Sequence, residues 1–439
     1  MAAAVSVRIT AASWRALIAS WLGWMFDGYE TYALVLVGAI AVRQLIAADQ
    51  VDQIPIYFGG LLAVTLLGWA TGGVIAGVLA DYIGRKRMLM YSILWYALFA
   101  GLTALAPNYW ILLAFRFLTG LGLGAEWGPG TALVAELWSP AKRGRAAAAL
   151  QSAFGFGLLL AAAIWLVVAP LGPNAWRIMF ILGVLPALLL LYIRTGVREP
   201  DLWVDADERR RAARERAARG DALHPDDHGL TRFTMHSVLS TPALRSRLGM
   251  LLLMSLSCVV GWWATSTWIP QYAGQNAARA GLDAQQWAGT TGLIYNVGAI
   301  AGYLVLGLLA DVWGRKPATL LFYLGSFVMV VVLFQFVHDP TLLVIAAAAN
   351  GFFTSGVFAW MPIYLPELFP THLRGSAISL VFDSSRYLAA FGPLLAGWLI
   401  TVLGGSIGSA AVIIGLIYLL GLVITPFAGP ETKGQPLPA

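Results

Sequence analysis

The sequence predicts an all-α integral membrane protein with twelve transmembrane helices in two pseudo-symmetric six-helix bundles. Only 11% of its 439 residues are charged and 59% are hydrophobic, whereas soluble domains contain about 25% charged residues. A bilayer is crossed by roughly 20 apolar residues, and reading the chain with that length gives twelve segments. Motifs that recur at one offset indicate that the chain consists of two related halves.

The twelve segments divide the chain into four parts. Their predicted limits are 15–42, 57–80, 88–106, 110–138, 144–169, 174–195, 246–273, 287–310, 317–338, 340–365, 375–403 and 406–428. We therefore expect an N-terminal bundle over 1–197, a linker over 198–245, a C-terminal bundle over 246–429 and a tail over 430–439. The linker is charged and rich in Arg and Ala, which is typical of a solvated segment.

The distribution of basic residues predicts the orientation in the membrane. Lys and Arg cluster at 85–87, at 142–145 and in the linker, and these segments all fall on one side. The other side holds little beyond Arg43, Arg177 and Arg279. Because basic loops stay in the cytoplasm, we expect both termini there, in a cell membrane that is the inner membrane if the source is bacterial. The net charge of +6 therefore reflects topology, and no nucleic-acid partner is expected.

Residue types that bind cofactors or perform catalysis are scarce. Cys258 is the single cysteine, and three of the five histidines lie in the polar linker. The sequence therefore predicts no disulfide, no metal site, no catalytic residue and no cofactor. An integral-membrane enzyme is disfavoured because we find no nucleophile–histidine–acid set. A receptor is disfavoured because no segment is long enough for a soluble output domain.

Two motifs occur once in each half. "GVLADYIGRK" at 77–86 recurs as "GLLADVWGRK" at 307–316, an offset of 230, and "AELWSPAKRG" at 135–144 recurs as "PELFPTHLRG" at 366–375, an offset of 231. The first motif resembles the Gly-x-x-x-Asp-x-x-Gly-Arg-Lys loop of the major facilitator superfamily, and the resemblance covers essentially the whole chain. It implies a secondary transporter that works by alternating access, with its site between the halves and with the monomer as the functional unit.

The two motif copies predict a charge network that latches the cytoplasmic side. Glycine permits close helix approach, an aspartate can face a helix N-terminus, and the motif arginines can pair with Glu136 and Glu367. The alternative is a topology signal without a latch. The predicted gate residues are Gly77, Asp81, Gly84, Arg85, Glu136, Arg143, Asp311, Gly314, Arg315, Glu367 and Arg374.

Two acids in the first segment predict a proton-coupling site. Asp27 and Glu30 share one helix face about 20 Å from Trp14, and ionisable groups at that depth usually face a cavity or a partner. Arg116 lies in "RFLTGLGLG", which resembles a motif of proton-coupled members of the superfamily. "GYET" resembles the "GYDT" of sugar/proton symporters, with Glu30 at the acid position. "DGYE" resembles the Asp-Gly-x-Asp of aromatic-acid/proton symporters, which leaves open whether Asp27 or Glu30 carries the proton.

A buried arginine predicts an anion site. Arg386 lies about 18 Å along the eleventh segment from Arg374, and a guanidinium suits a carboxylate, although Asp383 at i−3 could neutralise it. The eleventh segment and "GAEWG" resemble the aromatic-acid and sialate/lactate symporters. The predicted function is proton-coupled symport of a small organic anion. The predicted substrate-binding residues are Arg386, Asp383, Tyr32, Glu126, Trp262, Trp263, Tyr295, Asn296 and Trp360.

Two other transport functions remain as alternatives. A sugar or polyol:proton symporter is favoured by "PETKG" at 430–434 and "VREP" at 197–200, which resemble sugar-porter motifs. The seventh segment, however, lacks the Gln-Gln-x-x-Gly pattern of that group. A drug/proton antiporter is less favoured because the fifth segment lacks the expected Gly-Pro signature. The sequence does not identify the acid or the proton stoichiometry.

Overall fold

The computed structural model describes residues 9–223, 227–404 and 406–438, and every regular element in these ranges is helical. Seven α-helices precede the linker: α1 Ala11–Leu45, α2 Ile54–Ile83, α3 Arg85–Thr103, α4 Tyr109–Leu137, α5 Arg143–Val168, α6 Ala175–Leu182 and α7 Leu189–Gly196. Three lie in the linker: α8 Asp201–Arg219, α9 His228–Thr231 and α10 Thr234–Ser240. Residues 224–226 of the predicted linker lie outside the described ranges.

Ten α-helices follow the linker. They are α11 Pro242–Thr265, α12 Ile269–Arg279, α13 Ala284–Val312, α14 Arg315–Phe336, α15 Pro340–Thr354, α16 Trp360–Leu368, α17 Thr371–Ala389, α18 Gly392–Val402, α19 Ile407–Gly415 and α20 Ile417–Ile424. Five of the twelve predicted segments are each built from two helices, namely α6 with α7, α11 with α12, α15 with α16, α17 with α18 and α19 with α20. Each of the twelve predicted segments is therefore largely helical.

Composition alone identifies most of these segments as membrane-spanning. In the described ranges, nine are long and apolar enough to cross a bilayer. The other three, 85–103, 109–137 and 371–402, each contain three Lys, Arg, Asp or Glu residues. Most of these charges are buried against other helices, and Lys86 and Arg87 lie at the start of α3. Charged residues lower the mean hydropathy of a segment, so a hydropathy criterion misses these three although most of their charges face the protein interior.

Local sequence accounts for where several helices begin and end. The side chains of Asn108, Asp283 and Asp339 accept hydrogen bonds of 3.0, 2.8 and 2.9 Å from backbone N–H groups at the starts of α4, α13 and α15. Gly84 and Gly314 adopt φ angles of +104° and +120°, which strain residues that carry a Cβ. These glycines allow the tight turns from α2 to α3 and from α13 to α14.

Glycines also bring helices together, at equivalent places in the two halves. A Cβ on Gly72 of α2 would lie 1.9 Å from the carbonyl oxygen of Leu121 in α4. A Cβ on Gly302 of α13 would lie 1.9 Å from the carbonyl oxygen of Phe352 in α15. The two contacts are related by the offsets of 230 and 231 residues that relate the motifs. The repeat in the sequence is therefore also a repeat in the packing.

The two halves meet along two helix crossings. In the first, Gly77 of α2 lies against Ser379 of α17, with 2.4 Å between a Cβ placed on the glycine and the serine Cβ. In the second, Gly307 of α13 lies against Ala148 of α5, with 2.2 Å between the corresponding atoms. The close approach expected at Gly77 is thus a contact between halves.

The linker is docked onto the bundle, in contrast to the solvated segment expected. Arg210 of α8 donates to the backbone carbonyls of Asp81 and His372 and lies 4.7 Å from the ring centroid of Tyr82. Arg210 therefore satisfies carbonyls near the end of α2 and the start of α17, which belong to different halves. We call the end of the bundle that carries α8–α10, the start of α1 and the tail 430–438 the linker face.

The packing of α13 gives a stability prediction. We expect Gly302→Ala to destabilise the protein by roughly 1–3 kcal/mol, because the added Cβ would overlap a backbone carbonyl and separate α13 from α15. The measurement is the thermal unfolding midpoint of purified protein in detergent.

Gly289→Ala in the same helix is the matched control. A Cβ at Gly289 has no heavy atom within 4 Å, and alanine favours helix over glycine, so its midpoint should be unchanged or higher. Equal midpoints for the two variants would contradict the close packing at Gly302.

Candidate functional site

A cavity lies between the two halves and is lined mainly by aromatic side chains. The space free of protein atoms within it, including space open to solvent, is about 550 Å³. The lining residues from the first half are Trp24, Trp69, Gln151, Phe154, Gly155 and Leu158. Those from the second half are Trp262, Trp263, Asn296, Ala299, Tyr303, Ser355, Phe358, Phe382 and Arg386. Among these described lining residues, Arg386 is the one that carries a charge, so the cavity combines an apolar wall with one guanidinium.

Arg386 is held by aromatic and polar neighbours. Its guanidinium carbon lies 3.8 Å from the ring centroid of Phe382 and 4.8 Å from that of Trp69. Its Nη1 donates to the Phe382 carbonyl at 2.8 Å and to Asp383 Oδ1 at 3.3 Å. The aromatic faces stabilise the cation and fix its position. Arg386 is therefore a rigid positive group at the wall of the cavity.

Asp383 lies behind Arg386 and is fully buried. Its Oδ1 accepts from Arg386, but its Oδ2 has no hydrogen-bond partner among the described residues. A Cβ on Gly73 of α2 would lie 2.1 Å from Oδ2, so the carboxyl packs directly on the backbone of the other half. The predicted i−3 pairing of Asp383 with Arg386 is present, with half of the carboxyl unpaired.

Glu30 and Arg116, which the sequence proposed as partners, are in contact. Arg116 Nη1 donates to Glu30 Oε2 at 3.0 Å, and both side chains are fully buried. The Arg116 guanidinium lies 5.1 Å from the ring centroid of Phe180 in α6. A Cβ on Gly183 would lie 1.7 Å from Glu30 Oε1, so the carboxyl fits against the break between α6 and α7. Neither residue lines the cavity described above.

Asp27 and Glu126 are buried acids without a partner in the described part of the chain. Neither oxygen of either carboxyl makes a hydrogen bond there. Glu126 Oε1 lies against Gly23, one helical turn before Asp27, since a Cβ on that glycine would be 1.7 Å away. An isolated buried carboxylate is strongly destabilised when it is ionised. A proton on either group would remove this penalty.

The other predicted substrate-binding residues separate into two groups. Trp262, Trp263 and Asn296 line the cavity. Tyr295 is buried behind it, and its hydroxyl lies 2.9 Å from the hydroxyls of both Thr354 and Ser355. Tyr32 packs in an apolar cluster with Tyr29, and Trp360 is buried in the core; neither is among the described lining residues.

Several lining residues were not predicted. Trp24 and Trp69 resemble the many other tryptophans of the chain, and their sequence context contains no signal for a cavity. Gln151 is different, because it is an isolated amide in the apolar fifth segment, and this signal could have identified it. Its Oε1 accepts from Trp127 Nε1 at 3.0 Å, and Trp127 stacks on Phe382 with 3.6 Å between ring centroids. Gln151 thus helps to orient the aromatic wall.

The predicted gate residues of the first motif form an ion-pair network at the linker face. Arg85 contacts Asp81 at 3.0 Å and Glu136 at 3.2 Å, all within the first half. Arg374 of the second half contacts the same Glu136 at 2.6 Å. Asp81 also accepts from the backbone N–H of Gly375 at 3.0 Å, near the start of α17. Glu136 and Asp81 therefore join the two halves.

The second motif forms the equivalent network with the roles of the halves exchanged. Arg315 contacts Asp311 at 3.0 Å and Glu367 at 2.8 Å. Arg143 of the first half contacts Glu367 at 3.1 Å. Asp311 accepts from the backbone N–H of Gly144 at 3.2 Å, near the start of α5. The linker face is thus closed by two related networks.

The "VREP" and "PETKG" motifs reinforce these networks. Glu199 accepts from the backbone N–H groups of Arg85 and Lys86 at the start of α3, and burial raises the pKa of this carboxyl. Glu431 accepts from the corresponding groups of Arg315 and Lys316 at 2.9 and 3.0 Å. These carboxylates cap helix N-termini, so the resemblance to sugar-porter motifs has a structural explanation that does not involve sugar.

The tail also lies in the closed linker face. Arg143 Nη1 donates to the carbonyl of Gln435 at 3.3 Å. Arg374 Nη2 donates to the carbonyl of Pro438 at 3.0 Å. The two arginines that connect the halves therefore also hold the tail.

Comparison with known proteins gives a consistent family and fold. The family described as "Sugar (and other) transporter" matches residues 16–438. The sialic acid transporter NanX of Escherichia coli is 27% identical over 90% of this chain and 88% of its own. The gentisate transporter of Corynebacterium glutamicum is 27% identical over 88% of this chain and 82% of its own. The proton:xylose symporter XylE of E. coli has the same fold, with a TM-score of 0.78, 20% identity and coverage of 98% of each chain. The predicted resemblance and twelve-helix, two-bundle fold are confirmed.

The gate networks give a second prediction. Arg374→Ala leaves Glu136 with Arg85 as its remaining cation and removes the ion pair that joins the halves at this residue. We expect the closed linker face to become less populated. The measurement is the distance between spin labels at the exposed positions 142 and 313, one in each half, by electron paramagnetic resonance. Cys258 is first replaced by serine so that only these two positions are labelled. The distances should be longer in Arg374→Ala.

Arg219→Ala is the control for this experiment. Its pair with Glu215 in α8 is 3.9 Å long and exposed at both ends, so it contributes little. We expect no change in the measured distances. A distance distribution in Arg374→Ala that matches the control would contradict the latch.

Proposed function

The chain belongs to the family of sugar and other transporters in the major facilitator superfamily, and we propose that it is a proton-coupled symporter of a small organic acid. In this proposal it acts as a monomer in the cell membrane with both termini in the cytoplasm. The linker face is then the cytoplasmic face, and the conformation described above is closed to the cytoplasm.

The observation that carries the proposal is Arg386 in an aromatic cavity between the halves. A guanidinium in apolar surroundings binds a carboxylate strongly, and the planar walls suit an unsaturated or aromatic body. Gln151, Asn296 and Ser355 add a few polar contacts that can orient such a molecule. The relatives named for sialic acid and gentisate support this reading, because both names describe carboxylic acids.

Sugar transport is the second candidate. It is favoured by the polar residues Gln151, Asn296 and Tyr303 at the cavity and by the fold shared with a xylose symporter. A neutral sugar, however, carries no charge that would pair with the Arg386 guanidinium. The acid therefore has the stronger physical support.

Glu30 and Arg116 are proposed to couple the proton to the conformational change. A proton on Glu30 removes one charge of a fully buried pair and leaves Arg116 uncompensated. Losing a buried partner costs about 3–5 kcal/mol, and each 1.4 kcal/mol changes an equilibrium about tenfold. Protonation at this pair is therefore sufficient to shift the balance between two arrangements of α1 and α4. Asp27 and Glu126 are additional sites where protons can reside.

The proposal predicts the transport behaviour of the protein in liposomes. Radiolabelled gentisate or sialic acid should accumulate when an inward proton gradient is applied, and a protonophore should abolish the accumulation. Glu30→Gln should lose gradient-driven accumulation but keep counterflow exchange, because the substrate site is intact. Arg386→Ala should lose both, because the anion receptor is removed.

Two comparisons make this experiment decisive. Glu215→Gln, on the exposed surface of α8, should transport as the unmodified protein does. Accumulation of xylose, with neither acid transported, would reject the organic-acid proposal in favour of the sugar alternative.

A further inference from the structure

The substrate receptor proposed above is already partly neutralised. Asp383 Oδ1 lies 3.3 Å from Arg386 Nη1, and both groups are buried. A carboxylate ligand that approaches Arg386 must therefore share the cation with a second carboxylate. This arrangement raises a problem of charge, because three charged groups would occupy one apolar site.

The balance of charge depends on whether Asp383 carries a proton. Without substrate, Arg386 and ionised Asp383 have a net charge of zero. An anion added alone would make the site negative, and a buried unbalanced charge is strongly unfavourable. An anion added together with a proton on Asp383 keeps the net charge at zero. Joint loading is therefore favoured over loading of the anion alone.

The geometry of Asp383 is suited to this role. Its Oδ2 is free of hydrogen bonds from the described residues, so a proton on that oxygen disrupts no contact that the structure shows. The same oxygen lies on Gly73 of α2, at the crossing where Gly77 meets Ser379 one turn away. A change of charge at Asp383 therefore occurs where the halves must separate.

Few other titratable groups face this pair. Asp27 of α1 and Cys258 of α11 are close enough to interact with Arg386. The α2 helix contacts Asp383 through Gly73. Asp81 of the same helix lies two turns further on and accepts hydrogen bonds from the backbone N–H groups of Gly375 and Ser376.

The α4 helix presents Trp127 and Gly128 to α17, and its Glu126 lies against Gly23. Arg116, also of α4, is paired with Glu30. The remaining charged residues of the helices packed on α17, such as Arg210 of α8 and Glu367 of α16, lie at the linker face. Asp383 is thus the carboxyl in direct contact with the receptor.

Resting on the proposed function, we propose that Asp383 takes up the proton that enters with the substrate anion and thereby converts Arg386 into an anion receptor. The proton comes from solution, binds a carboxyl oxygen of Asp383 and leaves with the substrate. The coupling of proton and anion then has a component at the substrate site itself. It is distinct from the Glu30–Arg116 pair, which acts on the conformational change.

The test is the number of protons taken up when gentisate binds. Calorimetric titration of purified protein in buffers with different ionisation enthalpies measures this number directly. For the unmodified protein we expect about one proton per gentisate at pH values where Asp383 is ionised when the site is empty. The dissociation constant should rise by about tenfold per pH unit in the same range.

Asp383→Asn should bind gentisate with almost no proton uptake and with little dependence on pH. The reason is that an amide at this position leaves the charge of Arg386 available to the anion at every pH. Asp52→Asn, at an exposed aspartate between α1 and α2, is the matched control and should behave as the unmodified protein does. A merely structural role for Asp383 would weaken binding without changing the proton count. The unfolding midpoint of each variant verifies that it is folded.

The outcomes separate this inference from the proposed function. Proton uptake that persists in Asp383→Asn, with gentisate still bound, would overturn the role of Asp383 and leave the symport proposal intact. If neither gentisate nor sialic acid binds the unmodified protein at any value between about pH 5 and 8, the organic-acid proposal falls and this inference falls with it.

Discussion

A charge buried in an apolar bundle is stable only when it is paired, and much of this structure follows from that constraint. At the linker face the pairing crosses between halves. Glu136 pairs with Arg85 of its own half and Arg374 of the other. Glu367 pairs with Arg315 of its own half and Arg143 of the other. The halves cannot separate there without leaving buried charges unpaired. The duplicated motif thus forms two equivalent sets of ion pairs that join the halves.

The acids around the cavity have fewer partners than those of the linker face. Asp27 and Glu126 make no hydrogen bond with the described residues, and Asp383 contacts one arginine, whereas Glu136 and Glu367 each contact two. A buried carboxylate that contacts two cations has its charge compensated in this arrangement. A partly paired network responds to each proton or anion that completes it, because its remaining polar atoms are unsatisfied. The contrast supports the proposal that the linker face acts as a gate and that the region around the cavity responds to proton and anion.

The sequence predicted those features that depend on position along the chain. The twelve segments follow from apolar length, and the pairing of Arg85 with Glu136 follows from the repeated motifs. The lining of the cavity depends instead on the rotation of each helix about its axis. Helices that are apolar on every side give no periodic signal for that rotation. For this reason Trp24 and Trp69 were missed, and Trp360 was assigned to a cavity although it faces the core.

The two halves share the ion pairs of the repeated motifs, but they carry different charged residues around the cavity and the Glu30–Arg116 pair. The 231-residue offset that relates Glu136 to Glu367 places Ala347 at the position equivalent to Arg116. The same offset makes Gly155 the equivalent of Arg386, and Gly155 lines the same cavity. A charged pair repeated in both halves would bring two more charges into one apolar site, each needing compensation. In the proposed mechanism, a proton on Glu30 acts through Arg116 on the first half and the anion acts through Arg386 on the second half. A proton on Asp383 would then act beside the anion, in the second half.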